Sequence, residues 1–280
     1  MQESTMTNRE AHAIASGMGP EELDQFFKNH NLDSDAPFKK YTIKPYVINW
    51  PGQSSKVVAT EKEFLQIFGE CTVLNADPLI KNSKWVDAEY GYGRQVLKIF
   101  DHFLKSDSDI LFILTGDATS KNWLEIKESA EKNFEKYNWG IFLPFTDTSS
   151  WNNNIFCEIE PNIRLMKNSD GVAWFIHRGV VEYFLFNCLH AFERNILGWG
   201  IDIAMTATSW FMKRLVLQDK KYVVNHPKLC GYDRSEAIRQ ENSSYSNLTT
   251  DYGEYAQILR FNNIALAEFI HLEEIKFSLL

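Results

Sequence analysis

The stretch ILFILTGDA, Ile110 to Ala118, is an apolar run that ends on a glycine and an acid. Its apolar part suits a strand covered on both faces, in the middle of a sheet. Its end has two readings. In the bland one, Asp117 sits in a turn and caps the next helix. In the functional one, Asp117 lies at the carboxyl end of a parallel strand, facing the crevice where α/β sheets bind ligands.

Strand-like and helix-like segments alternate on both sides of this run. YVIN (46–49) reads as a strand closed by Trp50, Pro51 and Gly52. ATEKEFLQIFGE (59–70) reads as a helix, with Thr60 and Glu63 forming a capping box. Phe64, Leu65, Ile67 and Phe68 form its apolar side. CTVLNADP (71–78) is a second strand that ends on Asn75 and Asp77. YGYGRQVLKIFDHFLKS (90–106) is a helix with Val96, Leu97, Ile99, Phe100, Phe103 and Leu104 on a broad stripe. Past Asp117, NWLEIKESAEKNFEKY (122–137) is a helix and WGIFLPF (139–145) a strand. This alternation, with connections long enough to cross over, predicts an α/β fold. Its mostly parallel, Rossmann-like central sheet is flanked by helices.

The second half is less regular. NIRLMKN (162–168) and VAWFIHR (172–178) read as a strand pair. VVEYFLFNCLHAFERNIL (180–197) and WGIDIAMTATSWFMKRL (199–215) read as helices, and KKYVVNHP (220–227) as a late strand. Residues 231–250 are polar and loop-like, and residues 252–275 read as closing helices. Near the start, GPEELDQFFKNHNL (19–32) suits one short helix, with Pro20 in its first turn. The division is an extension over 1–40, a catalytic domain over 41–230, and a C-terminal loop with helices over 231–280.

The chain has 280 residues, 44% of them hydrophobic, and a net charge of −8. No basic tract is present, which excludes nucleic acid as an expected partner. An anionic nucleotide is still compatible where the site supplies its own donors or a metal. Cys71, Cys157, Cys188 and Cys230 form no CxxC pair, so neither a zinc site nor a disulfide framework is expected. Residues 1–16 hold no apolar core of signal-peptide length, and no run is long enough to span a bilayer. The expectation is a cytoplasmic protein. The apolar segment ALAEFIHLEEIKFSLL (265–280) is a candidate for docking on its own domain, a second copy or a membrane surface.

Two further stretches carry chemistry. In GWGIDIAM (198–205), two glycines flank Trp199 ahead of a helix, and Asp202 falls in its first turn. Asp202 there stabilises the helix start through the macrodipole, or serves as an acid beside an aromatic platform for a sugar ring. In VVNHP (223–227), His226 follows a strand. A lone histidine in that position is more often structural than a ligand. TDTSSWNNN (146–154), with Trp151, reads equally as an acceptor loop or an ordinary surface loop.

The order of these pieces resembles the nucleotide-sugar glycosyltransferases of the GT-A fold, especially the inverting, family-two-like enzymes, over roughly residues 41–230. The resemblance assigns the base-binding loop to Asn49, Trp50 and Pro51. It assigns further nucleotide contacts to Asn75, Asp77, Arg94, Gly116 and Asp117. It implies a Mn²⁺ or Mg²⁺ ion on Asp117 and His226, Asp202 as catalytic base, and acceptor contacts from Trp199 and Gly200. The family's Asp-x-Asp is reduced here to one carboxylate in Thr115-Gly116-Asp117-Ala118-Thr119, and its Glu-Asp pair to Ile201-Asp202.

The implied partners are a nucleotide-sugar donor and a glycan or lipid-linked glycan acceptor. In that scheme the cation stabilises the departing diphosphate, and Asp202 takes the acceptor hydroxyl's proton in a single inverting displacement. Two rivals stand beside it. A sugar nucleotidyltransferase would open on a Gly-rich basic loop, which NWPGQSSK (49–56) matches poorly. A non-catalytic glycan- or partner-binding protein accords with the missing acid.

Overall fold

The computed structural model describes residues 41–248 apart from 138, 213 and 228–232, together with 19–21, 24, 25 and 28. The segment 252–275 and the docking expected of 265–280 lie outside the described residues. Pro20, Glu21, Asp24, Gln25 and Lys28 are helical, as the Pro20 start predicts.

The elements in chain order are β1 (Ile43–Asn49), α1 (Ser54–Phe68), β2 (Thr72–Asn75), β3 (Val86–Asp87), α2 (Tyr92–Leu104), β4 (Ile110–Thr115), α3 (Trp123–Tyr137), β5 (Trp139–Thr146), β6 (Ile155–Glu160), β7 (Ile163–Met166), β8 (Ala173–His177), α4 (Arg178–Phe192), α5 (Ile201–Phe211), β9 (Leu215–Val224) and α6 (Arg234–Ser246). Among the described residues nine strands form one sheet in the order β3-β2-β1-β4-β8-β5-β9-β7-β6. Strands β3, β2, β1 and β4 are parallel to one another, and β9 is parallel to β5. β8 runs antiparallel between β4 and β5, and β7 antiparallel to both β9 and β6. The sheet is α/β and Rossmann-like in its first half and mixed in its second.

β1 and β4 are buried along nearly their whole length because both faces of the sheet are covered. On one face Phe112 of β4 packs against Phe64 of α1 and Trp123 of α3. On the other, the Tyr46 hydroxyl of β1 meets His102 of α2 at 2.7 Å. The α2 stripe of Val96, Ile99, Phe100 and Phe103 is fully buried, and Phe100 continues it onto Phe184 of α4.

Several local expectations are corrected. Helix α1 begins at Ser54, so Thr60 lies in its interior and is buried rather than capping it. Val57, Thr60 and Phe64 form its inward face, and Leu65 is exposed. The segments at 162–168 and 172–178 are strands, but they do not pair with each other: β8 is inserted between β4 and β5. β9 starts at Leu215, earlier than predicted, and α5 stops at Phe211. Residues 234–246 are the helix α6, capped by Asp233, whose carboxylate accepts the Ser235 N–H at 2.8 Å. β6 was not legible as a strand. It lies at the sheet's end and is partly exposed, without a clean apolar alternation.

The chain leaves β1 toward β2 and β3, then returns to β4 on the other side of β1. That reversal opens a crevice at the carboxyl ends of β1 and β4. Ile48 pairs with Thr115 there, and Gly116 lies directly on the β1 backbone. A Cβ on Gly116 would stand 2.2 Å from the Ile48 carbonyl oxygen and 2.8 Å from Val57 Cγ2. Gly116 is therefore a packing requirement that delivers Asp117 into the crevice. Gly116→Ala is expected to destabilise the fold by about 1–3 kcal/mol, the usual cost of overpacking. Urea denaturation measures this, and an unchanged midpoint would contradict the close approach.

Candidate functional site

Four strand ends meet at one edge of the sheet. β4 ends at Thr115, beside the start of β8, where the Thr115 N–H donates to the Val172 carbonyl at 2.9 Å. β5 and β9 end side by side, Thr146 opposite Val224. Beyond β9, Asn225 bridges back to Thr119 in the loop after β4. This crossing brings His226 over Asp117, with Nε2 3.4 Å from Asp117 Oδ1. Helix α3 starts only at Trp123, so Asp117 does not cap it.

Asp117 Oδ1 is enclosed by protein and has no well-formed hydrogen bond; its ion-pair contact is His226. Burial pushes the Asp117 carboxyl up. The hydrogen bond and charge of His226, with help from Thr115 and local backbone, outweigh it and hold Asp117 below its ordinary value. Burial likewise lowers His226, but Asp117, Asp170 and Asp147 carry it above its ordinary value. The His226 N–H donates to Asp147 at 2.9 Å, and Nδ1 faces the Thr148 hydroxyl at 3.5 Å.

Asp202 enters from the other side. Gly200, with φ of +86°, turns the chain into α5, and a Cβ there would meet the Tyr245 hydroxyl at 2.5 Å. Tyr245 of α6 donates to the Gly200 carbonyl at 3.1 Å and so fixes this entry. Asp202 Oδ1 accepts the Ile203 N–H at 2.9 Å. Burial, then the charge of Asp170, then Glu241, push its carboxyl up to about 7 despite that bond.

Asp170 joins the two halves, and sequence reasoning missed it. It sits in Asn168-Ser169-Asp170-Gly171, the loop entering β8. Three bonds lock this loop to α5: the Ser169 N–H donates to Thr206 Oγ1 at 3.1 Å, the Thr206 hydroxyl donates to Ser169 Oγ at 2.7 Å, and the Ser169 hydroxyl donates to the Asp202 carbonyl at 3.1 Å. The Tyr92 hydroxyl, from the start of α2, donates to the Gly171 carbonyl. Asp170 Oδ1 accepts the Val172 N–H at 3.1 Å. Burial raises its carboxyl, against the Ser149 hydroxyl, the Val172 N–H and the His226 charge. The one available signal was an acid-glycine turn directly before an apolar strand.

The other predicted residues are dispersed around this centre. Asn49 and Asn75 brace strand ends: Asn49 Nδ2 donates to Asn75 Oδ1 at 2.8 Å and to Ser54 Oγ at 3.2 Å. Asn75 Nδ2 donates to the carbonyls of Asp77 and Ile80. Their polar atoms are occupied within the fold. Asp77 is buried in the same turn, its Oδ1 accepting the Leu79 N–H at 3.0 Å. Arg94 pairs with Glu89 at the surface. Trp50 is half-buried, 6.3 Å from the Tyr92 ring, and Pro51 is exposed at the turn. Trp199 lies under the Arg234 guanidinium, 5.8 Å from it. Asn152 anchors the 146–154 loop, donating to the Thr146 carbonyl and accepting from Gln218.

Among the described residues, no three His, Cys, Asp or Glu side chains close into a metal cage. Asp117 and His226 still fit two positions of a hard cation, which retains waters and takes further oxygens from phosphate. The enclosed, poorly donated-to Oδ1 of Asp117 is the atom such an ion would satisfy.

No protein-family model and no curated protein matches this chain. Solved structures do. Glucosyl-3-phosphoglycerate synthase from Mycobacterium tuberculosis, in complex with Mn²⁺, UDP and phosphoglyceric acid, aligns at TM-score 0.50 and 11% identity over 73% of this chain and 77% of that one. The same synthase with Mn²⁺, UDP-glucose and phosphoglyceric acid aligns at 0.50 and 11% over 75% and 81%. The chain has the GT-A fold. GalNAc-T7 with UDP, GalNAc and Mn²⁺ aligns at 0.46 and 10% identity, over 84% of this chain and 58% of that one. Among the described residues, no helix of this GT-A chain is long and apolar enough to cross a membrane.

Proposed function

We propose that this GT-A chain transfers a sugar from a nucleoside-diphosphate donor to a hydroxyl acceptor, with inversion at the anomeric carbon. The observation that carries the reading is the Asp117–His226 pair at the carboxyl edge of the sheet, beside the loop entering β8 that bonds to the Asp202 carbonyl, on the fold of sugar-nucleotide enzymes. Asp117 and His226 would hold Mn²⁺ or Mg²⁺, which when bound offsets the charge gained by the departing diphosphate. Asp202, poised near neutrality, takes the proton from the attacking hydroxyl. Trp50 and the exposed turn at Pro51 flank the base. Trp199 and Gly200 border the acceptor side. Asn49, Asn75 and Asp77 keep the strand ends in place for the nucleotide rather than binding it directly. A glycan or lipid-linked glycan is the acceptor class this reading carries.

The single carboxylate of Thr115-Gly116-Asp117-Ala118-Thr119 favours a second reading, donor binding without transfer. Calorimetric titration with UDP and GDP, each with and without Mn²⁺, tests both. Metal-dependent binding of one nucleotide is the expected outcome, with affinity falling at least tenfold when Mn²⁺ is withheld. Binding of neither nucleotide would remove the transferase reading. Binding with no turnover of the matching nucleotide sugar would support the second.

A further inference from the structure

We infer that Asp170 is a donor-sugar recognition residue, reading hydroxyls of the sugar ring; the assignment rests on the transferase reading. The diphosphate end of the site is Asp117 with His226, and the acceptor end is Asp202. The ring being transferred must lie between them. Asp170 is the acid in that interval: Val172, two residues on, is bonded to the end of β4 at Thr115, and Ser169, one residue before, is bonded to the Asp202 carbonyl.

Its placement is built rather than incidental. The loop that carries it is fastened at three points. Thr206 of α5 accepts from the Ser169 N–H and donates to the Ser169 hydroxyl at 2.7 Å; the Ser169 hydroxyl reaches the Asp202 carbonyl; Tyr92 reaches Gly171. One carboxylate oxygen of Asp170 accepts the Val172 N–H at 3.1 Å. This bond and the fastened loop orient the carboxyl, and a carboxylate has acceptor sites beyond the one used. Sugar hydroxyls are donors, and hydrogen bonds to a carboxylate are about twice as strong as neutral ones. A site built to accept a hydroxyl rejects a sugar that lacks one, or directs it elsewhere, because the buried acid is then left unmet.

The test is Asp170→Asn, which keeps the oxygen that accepts the Val172 N–H and so preserves the loop. Binding is measured by calorimetry with Mn²⁺ for UDP against UDP-glucose and GDP against GDP-mannose. The informative pair is the one whose diphosphate the wild-type protein binds. The expected result is affinity for the nucleoside diphosphate within twofold of wild type, with at least a tenfold loss for the matching nucleotide sugar. The ratio of turnover between epimeric sugars carried on that nucleotide should shift as well. Equal losses for nucleotide and nucleotide sugar would place Asp170 at the diphosphate or in the fold and overturn the assignment. So would no loss for either. A wild-type protein that binds none of these nucleotides removes the transferase reading and this assignment with it. A wild-type protein that binds them, with Asp170→Asn indifferent to the sugar, removes this assignment alone.

Discussion

Asp202→Asn is expected to lower turnover of the nucleotide sugar by about 10²–10⁴-fold, the range for a positioned general base, with nucleoside-diphosphate affinity unchanged. The asparagine keeps the shape and can still accept the Ile203 N–H, but it cannot take a proton. The wild-type protein should also gain activity as pH rises through about 7, because only ionised Asp202 serves as base. The groups acting on it are Asp170 from the β7–β8 loop and Glu241 from α6, both raising, and the Ile203 N–H of its own helix, lowering. Stability runs the other way. The folded state holds this proton while the unfolded chain, with an ordinary carboxyl near 3.8, has released it. The stabilisation is full below about 4 and is lost as pH rises through about 7. Asp202→Asn should flatten that slope while removing the activity rise. UDP release from the bound donor, followed across pH 5–9, reads the activity side. Unchanged turnover, or a wild-type profile with no inflection near 7, would remove Asp202 as base.

The first half of the fold was legible because period and punctuation agree there. The apolar run Ile110–Leu114 has both faces covered, and the α2 stripe packs as its spacing predicts. Where the reading failed, a competing physical term decided. Thr60 looked like a cap because a Thr-x-x-Glu pattern stands before an apolar run. Yet Val57 also needs burial, and the helix extends back to Ser54 to supply it. Residues 234–246 looked like a loop because their composition is polar. Their helix is held by the Asp233 cap and a few inward residues, Ala237, Glu241, Ser244 and Tyr245, too sparse for an apolar pattern.

The site was legible only where an acid or histidine stood at a strand or helix end. Asp117, Asp202 and His226 were named from such positions, and the fold brings the first and last of them to 3.4 Å. Asp170 escaped because its importance comes from β8 running antiparallel between β4 and β5. That insertion turns the entry of β8 toward the carboxyl ends of its neighbours, and no local pattern announces it. Asn49 and Asn75 illustrate the converse. They stand where the resemblance places nucleotide contacts, but partners 26 residues apart in sequence use each other's side chains to tie two strand ends together.

Asp117→Asn is expected to remove the metal dependence of nucleotide binding and to cut turnover by about 10²–10³-fold, the loss typical when one group stabilising transition-state charge is deleted. The fold should persist with a modest loss of stability. Asp117 Oδ1 is enclosed, but the contact with His226 more than offsets the cost of burying its charge. Asparagine keeps the volume and removes the charge. His226 loses its 3.4 Å ion partner, but it answers by giving up its proton rather than by remaining buried and charged. The melting temperature at neutral pH should therefore fall modestly, because the folded state holds the ionised carboxylate better than the unfolded chain does. Thermal denaturation and calorimetry with Mn²⁺ and UDP or GDP measure the two sides on one sample. A large drop in melting temperature alongside lost activity would make Asp117 a structural residue. Retained metal-dependent binding would move the cation elsewhere. Loss of binding with only a modest change in melting temperature would leave one account of why an apolar strand ends on this acid: the strand holds Asp117 where a diphosphate needs it.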